Sequence, residues 1–295
     1  MPRIAILNQK GGVGKTTTAA NLGAALGKTG RRVLLVDLDA QANLTLHLSA
    51  GDFEEPSAFE VLVDGRPLRE AVRALAEPGL ALVPASPDLS GIEQALSGTI
   101  GRELLLRDAL EAYETEAARR GEGPDLVLLD CPPSLGVLSL NALAAADQVL
   151  VPLQTEFFAL QGMAQLLEVV RLVARRLNPR LTVLGILPCL VDARTNLSAE
   201  VLGELREHFG DLLLESRIRK TVKLAEAPGF GRSIFAYAPD SKGAEDYEAL
   251  ARELRGRLGL REEAGTLHGT REESGTSEEA GEGSLDPRSG SLDSA

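Results

Sequence analysis

The sequence predicts an α/β fold in which a doubly wound, mostly parallel sheet carries helices on both faces. Three observations predict it. Short, continuously apolar runs recur along residues 1–260, helix-length segments separate them, and a glycine-rich turn follows the first run directly. A run that is apolar without alternation suits a strand buried on both faces, as in a parallel sheet. Strand–helix–strand repetition on this scale belongs to that architecture.

In chain order the strand candidates are 4–7 (IAIL), 33–37 (VLLVD), 80–85 (LALVPA), 125–130 (DLVLLD), 148–153 (QVLVPL) and 181–187 (LTVLGIL). Helix candidates occupy 15–28, 66–76, 101–119, 136–145, 160–177, 198–208 and 242–258. The 160–177 segment places Leu160, Met163, Leu166, Leu167 and Val170 at helical spacing. That stripe reads as core-facing, with a dimer partner or a regulator as the alternative neighbour. After Leu260 the chain turns to Gly, Ser, Glu and Thr with almost no apolar residues. Such a composition does not bury enough surface to offset its ordering entropy. The expectation is one domain over 1–260 and a disordered acidic tail over 261–295.

Charge and composition exclude several classes. The formal net charge is -12 over 295 residues, and half of it lies in 261–295, which holds nine acidic groups and three arginines. The overall charge argues against indiscriminate attraction to nucleic acid. Aromatics are 3% and Trp is absent, so an aromatic base-stacking surface is not expected. Cys131 and Cys189 have neither disulfide-framework nor metal-ligand spacing, and both fall in apolar runs, as buried thiols in a reducing compartment would. With no secretory leader and no 18-residue apolar stretch, the expectation is a cytoplasmic protein without a membrane span.

The glycine-rich turn, ILNQKGGVGKTTTAAN over 6–21, departs from the general phosphate-loop pattern. Gly14, Lys15 and Thr16 fit it, but the position of its first glycine is Gln9, and an extra cation, Lys10, stands nearby. A strand candidate precedes the turn and a helix candidate follows, which is the setting that pattern requires. Gly11, Gly12 and Gly14 let the backbone around Val13 turn its N–H groups inward. The helix start adds partial positive charge. Lys15 is expected to reach the β- and γ-phosphates of a nucleotide, Thr16 to ligate Mg2+ and Thr17 to hold the α-phosphate. Lys10 reads either as a solvated lysine or as a cation serving a phosphate held by another subunit.

Two acidic motifs accompany the loop. Asp37 and Asp39, two apart at a strand end, are expected on one side of the sheet near its ligand edge. Asp130 ends the apolar run DLVLLD and is followed by Cys131, Pro132, Pro133 and Ser134. A strand-end acid beside a phosphate loop holds Mg2+, here through water. The pair of prolines makes a rigid exit, suited to a loop that senses the γ-phosphate.

KGGVGKTT (10–17) resembles the deviant Walker A motif of the ParA/MinD family of P-loop ATPases, and DCPPS (130–134) and VPLQTEFFALQG (151–162) are similar to its chromosome-partitioning ParA/Soj branch. The resemblance implies an ATPase using ATP and Mg2+, with Lys10 crossing a homodimer interface to the partner's nucleotide. It implies Asp39 orienting the attacking water, and Asp37 in the magnesium surroundings with Thr16 and Asp130. It implies non-specific binding to double-stranded DNA through Arg194, Lys220 and Lys223, in a nucleoid-associated protein stimulated by a ParB-like partner. Arg217 is suggestive only. Where the branch carries a proline and an asparagine beside the adenine, this chain has Arg219 and Thr221, so base selectivity stays open. Alternatives also stay open: a MinD-like membrane-positioning ATPase, an ATPase that positions another cargo, or a metabolic enzyme on the same fold. The first needs an amphipathic basic C-terminal helix, which 261–295 does not offer.

Overall fold

The computed structural model describes residues 1–49, 55–156, 159–192 and 195–260. The tail expected at 261–295 and the DNA-contact candidate Arg194 lie outside the described residues. In chain order the elements are β1 (Arg3–Ile6), α1 (Lys15–Gly27), β2 (Val33–Asp37), α2 (Asn43–Ser49), α3 (Ala58–Val63), α4 (Leu68–Ala71), β3 (Arg73–Ala74), β4 (Leu80–Val83) and α5 (Ile92–Ala95). They continue as α6 (Leu105–Arg119), β5 (Leu126–Asp130), α7 (Val137–Ala145), β6 (Gln148–Gln154), α8 (Ala159–Arg176), β7 (Thr182–Cys189), α9 (Asn196–Phe209), α10 (Val222–Glu226), α11 (Ile234–Tyr237) and α12 (Lys242–Arg257).

The strands form a seven-stranded sheet of order β3-β4-β2-β5-β1-β6-β7. All pairings are parallel except the short antiparallel pair β3–β4 at one edge. Strand alternation divides the core between the two faces. Ala5, Leu34, Val36, Val127, Leu129, Val149 and Val151 pack on one face, with apolar residues of α3, α6, α7 and α8. Ile4, Ile6, Val33, Leu35, Leu126, Leu128 and Leu150 pack on the other, with those of α1, α11 and α12. Burial on both sides explains why these strands read as unbroken apolar runs.

β1 is flanked by β5 and β6, so the chain leaves β1 toward one edge and later returns to fill both of its sides. In open α/β sheets the ligand crevice lies at the carboxyl ends of the strands around such a reversal. The phosphate loop leaves β1 there. Register brings Asp37 of β2 opposite Asp130 of β5, and Asp130 opposite Ile6 of β1.

One expectation is corrected. The helix expected over 66–76 is only Leu68–Ala71, and Arg73–Ala74 pairs with Leu82 and Ala81 of β4 instead. The turn before β4 makes this possible: Gly79 takes φ +72 after Pro78, and Leu75 N donates to Leu80 O at 3.1 Å. Edge pairing overrides helix propensity there. NLTLHLS (43–49), outside the strand and helix candidates, forms helix α2. Asp37 Oδ2 accepts hydrogen bonds from Thr45 N (2.9 Å) and Thr45 Oγ1 (2.8 Å). The helix buries Leu44 and Leu48, four apart, and leaves Leu46 exposed.

Candidate functional site

The loop is anchored before it turns. Asn8 Nδ2 donates to Pro152 O on β6 (2.7 Å), and Asn8 Oδ1 accepts from Lys10 N (3.0 Å). Gly12 and Gly14 take φ of +74 and +97, a region that glycine enters without a side-chain penalty. Gly14 is the N-cap of α1 and has no side chain to cap it; Thr18 N donates to Gly14 O at 2.8 Å. The N–H groups of Lys15, Thr16 and Thr17 thus belong to the first turn, where an α-helix supplies no acceptor of its own and an anion is favoured. Val13 is fully buried and packs the loop against the core.

The loop forms one wall of a cavity of about 870 Å3. Gly11, Gly12, Gly14, Lys15, Thr16 and Thr17 line that wall, and Asp39 and Pro133 face it from the neighbouring strand ends. Lys15 is 7% exposed and its Nζ donates to Lys10 O at 3.2 Å. Burial lowers its pKa, against the attraction of Asp130 and Asp39, which favours the charged form.

The three acids occupy different environments. β2 ends at Asp37 and the chain turns, so the strand alternation expected to align Asp37 with Asp39 stops there. Asp37 is fully buried; Oδ1 accepts from Asp39 N (3.1 Å), and Oδ2 holds Thr45. Burial pushes it up to about 6 in spite of those bonds. Asp39 is half-buried on the cavity wall, its Oδ1 accepting from Gln41 N (3.0 Å). Asp130 is 1% exposed, and neither of its carboxylate oxygens has a partner at good hydrogen-bond geometry; the Thr16 side chain and the Lys15 ammonium are the neighbours that favour its charged form. Burial raises its pKa well above the usual range, with Asp37 beside it adding to the effect. An unpartnered buried carboxylate is costly by itself. A hard cation with oxygen ligands is a partner that fits it, and Lys15 and Thr16 flank the same place.

A family model described as an AAA domain matches residues 1–183. The sporulation initiation inhibitor protein Soj of Bacillus subtilis is 45% identical over 253 residues, 85% of this chain and 97% of the relative. The chromosome-partitioning ATPase Soj of Thermus thermophilus is 49% identical over 256 residues, 87% and 96% of the two chains. The solved cobyrinic acid a,c-diamide synthase of Mycobacterium smegmatis, with bound ADP and magnesium, superposes with a TM-score of 0.75 at 40% identity, covering 89% of this chain and 97% of that one.

This chain belongs to the ParA/Soj family.

The P-loop fold expected of a ParA/Soj protein is therefore borne out, and the remaining residues singled out in the sequence can be located within it. Lys10, the deviant Walker A lysine, does not face its own cavity. Its ammonium pairs with Glu156 at the surface, where both side chains are about half exposed. Arg219 reaches the cavity wall, but its guanidinium is held by Asp246 (Nη2–Oδ1 2.6 Å, Nε–Oδ1 2.9 Å) and Glu245 (3.0 Å), which raise its pKa. Thr221 also lines the cavity, and its Oγ1 caps α10 by accepting from Leu224 N at 3.3 Å. Lys220 is exposed and stands on the cavity rim. Lys223 is exposed, paired with Glu226 at 3.0 Å and placed over the Tyr237 ring at 5.4 Å.

The sequence reading missed part of the wall. His47 of α2, Cys189 at the end of β7 and Tyr247 of α12 all line the cavity. Cys189 had a usable signal, since it ends a parallel strand on the carboxyl side where ligands bind. Burial pushes its thiol up to about 12, and Cys131 higher still, so neither is a nucleophile. His47 and Tyr247 carried no local signal. Among the described residues no helix is long and apolar enough to cross a membrane.

Proposed function

We propose that this protein is an ATP-dependent, dimerising, DNA-binding ATPase that segregates or positions DNA with a ParB-like partner. The observation that carries the reading is Asp130, a buried acid beside Lys15 and Thr16 of the phosphate loop that walls the cavity. The site fits Mg·ATP. The backbone N–H groups of residues 11–17 cradle the phosphates, Lys15 neutralises the β- and γ-phosphates, and Thr17 holds the α-phosphate. Thr16 and Asp130 hold Mg2+, which offsets charge on the phosphates; Asp37 uses its oxygens on Thr45 and Asp39 and so orients the surroundings. Asp39, open to the cavity, orients the attacking water. Arg219 and Thr221 border the base end, where Arg219 shapes the wall through Asp246.

Lys10 completes the neighbour's phosphate site in a homodimer. Its pairing with an exposed acid, outside its own cavity, supports that assignment: a surface ion pair contributes little and exchanges readily for a buried phosphate. DNA is gripped without sequence readout by Arg194, Lys220 and Lys223. Three contacts in a monomer become six in a dimer, and the logarithm of affinity falls with the logarithm of salt at a slope of about -0.9 per contact. Pairing driven by ATP therefore turns DNA binding on, and hydrolysis turns it off. The protein then resides on the nucleoid in the cytoplasm, with slow turnover until the partner accelerates it. The Thermus relative, named a chromosome-partitioning ATPase, supports this reading over a membrane-positioning one.

The name of the Mycobacterium structure favours one other reading, an ATP-dependent amide-forming synthase. Co-sedimentation with double-stranded DNA in ATP, ADP or no nucleotide, across a salt series, separates the two. Retention in ATP alone, with a slope of roughly -5 for six contacts, is the expected result. Equal recovery in all three conditions would overturn the proposal.

A further inference from the structure

We propose that residues 232–234 couple the nucleotide cavity to the basic stretch, and that His47 is the positioning residue of this coupling. The inference rests on the DNA-binding reading above and adds a route within it.

Three consecutive residues are each held by a different element. His47 Nε2 of α2 lies 3.1 Å from Arg232 O. Ser233 N and Oγ donate to the Glu77 carboxylate at 2.7 and 2.5 Å. Ile234 N donates to Asn21 Oδ1 of α1 at 2.7 Å. Such a run of polar tethers is not needed to fix one short turn, since Ser233 already caps α11 through Ala236 N.

The origins of the tethers give the run its meaning. Asn21 stands one turn beyond Thr17 on the phosphate-loop helix, and its Nδ2 donates to Thr17 O at 2.8 Å. His47 stands on the helix whose Thr45 is bonded to Asp37, a helix that Asn43 begins four residues after Asp39 of the cavity wall. α1 carries groups assigned to the phosphates, and α2 is bonded through Thr45 to Asp37 behind the metal place. Glu77 comes instead from the turn of β3–β4, where Gly79 O accepts from Val33 N at 2.7 Å at the start of β2. Two tethers therefore come from helices joined to the nucleotide groups, and one comes from the edge of the sheet.

The tethered segment closes the basic stretch 217–232. Just before it runs the turn Ala227–Phe230, then α10 with Lys223. The imidazole is 2% exposed, and a carbonyl only accepts, so the neutral ring carries its proton on Nε2 and donates it. A shift of α2 on nucleotide binding is thus passed as a directional hydrogen bond to the end of the DNA-facing stretch.

The test uses the full chain as wild type, His47→Leu, His47→Gln and Glu77→Ala, each checked for folding by circular dichroism. Amide hydrogen exchange over 222–237 is followed with and without saturating Mg·ATP, and retention on double-stranded DNA is followed in the same samples. The expected result is that ATP slows exchange in the wild type by on the order of tenfold. His47→Leu and Glu77→Ala should lose most of that difference and of the ATP-dependent retention. His47→Gln, which keeps an N–H donor, should recover most of both. An exchange difference absent from the wild type, or undiminished in His47→Leu, overturns the coupling. Should His47→Leu fail to fold, an undiminished difference in Glu77→Ala overturns it equally. An exchange difference that depends on His47 without any DNA retention supports the coupling and overturns the DNA-binding reading instead.

Discussion

Acidification tests the burial of His47 in the cavity wall through stability alone. Burial holds this imidazole neutral and lowers its pKa from 6.5 to about 4, against the Arg232 carbonyl contact that favours the charged ring. Above 6.5 the ring is neutral in both folded and unfolded chains and contributes no pH dependence. Below 6.5 the unfolded chain takes up the proton first, so stability is lost as pH falls toward 4 and levels off beneath it. The full loss is roughly 3 kcal/mol, since each tenfold difference in proton affinity between the two states is worth about 1.36 kcal/mol. Between about pH 7.5 and about pH 5 it comes to roughly 2 kcal/mol. Asp37, whose pKa is raised, acts in the opposite direction over part of this range, so the wild type alone is a poor reporter. The assay is urea unfolding of wild type and His47→Leu at matched pH values. The difference between the two should shift by roughly 2 kcal/mol, or about 1 M in midpoint for a slope of roughly 2 kcal/mol/M. Curves that stay parallel across the range would show that His47 is not a buried neutral ring, and the donor role assigned to it would fall.

Four further outcomes follow from the site. Lys10→Ala should retain binding of a fluorescent ATP analogue within about threefold yet lose the ATP-dependent dimer in light scattering, because its ammonium lies outside its own cavity; a surviving dimer refutes the cross-subunit role. Asp39→Ala should lower turnover by on the order of a hundredfold and leave the protein on DNA in ATP, and normal phosphate release refutes it. Asp130→Asn should raise the melting temperature of the nucleotide-free protein, by relieving a buried unpartnered acid, and shrink the further rise produced by Mg·ATP; a full ligand-induced rise would remove Asp130 from the metal site. Lys220→Glu with Lys223→Glu should reduce the magnitude of the salt slope of a DNA-bound dimer by about 3.6, at about 0.9 for each of four lost contacts, and an unchanged slope would place the DNA elsewhere.

What the sequence determined by itself was whatever a short window encodes. The six long strands are legible because burial on both faces demands an unbroken apolar run, and the phosphate loop is legible because Gly12, Gly14 and Lys15 act within one turn of chain. The departures lie where a distant contact decides. NLTLHLS has no assignment from its sequence, and in the fold it is a helix whose Thr45 is bonded to Asp37. Arg73 and Ala74 read as helix, yet the open edge of β4 takes them as a strand. Tertiary structure alone sets Asp130 beside Asp37, Lys10 against Glu156, Arg219 onto Asp246, and His47 beneath Arg232. A backbone period is a local property of covalent geometry, whereas each of these pairs depends on strand order and helix packing, which a linear spacing does not carry.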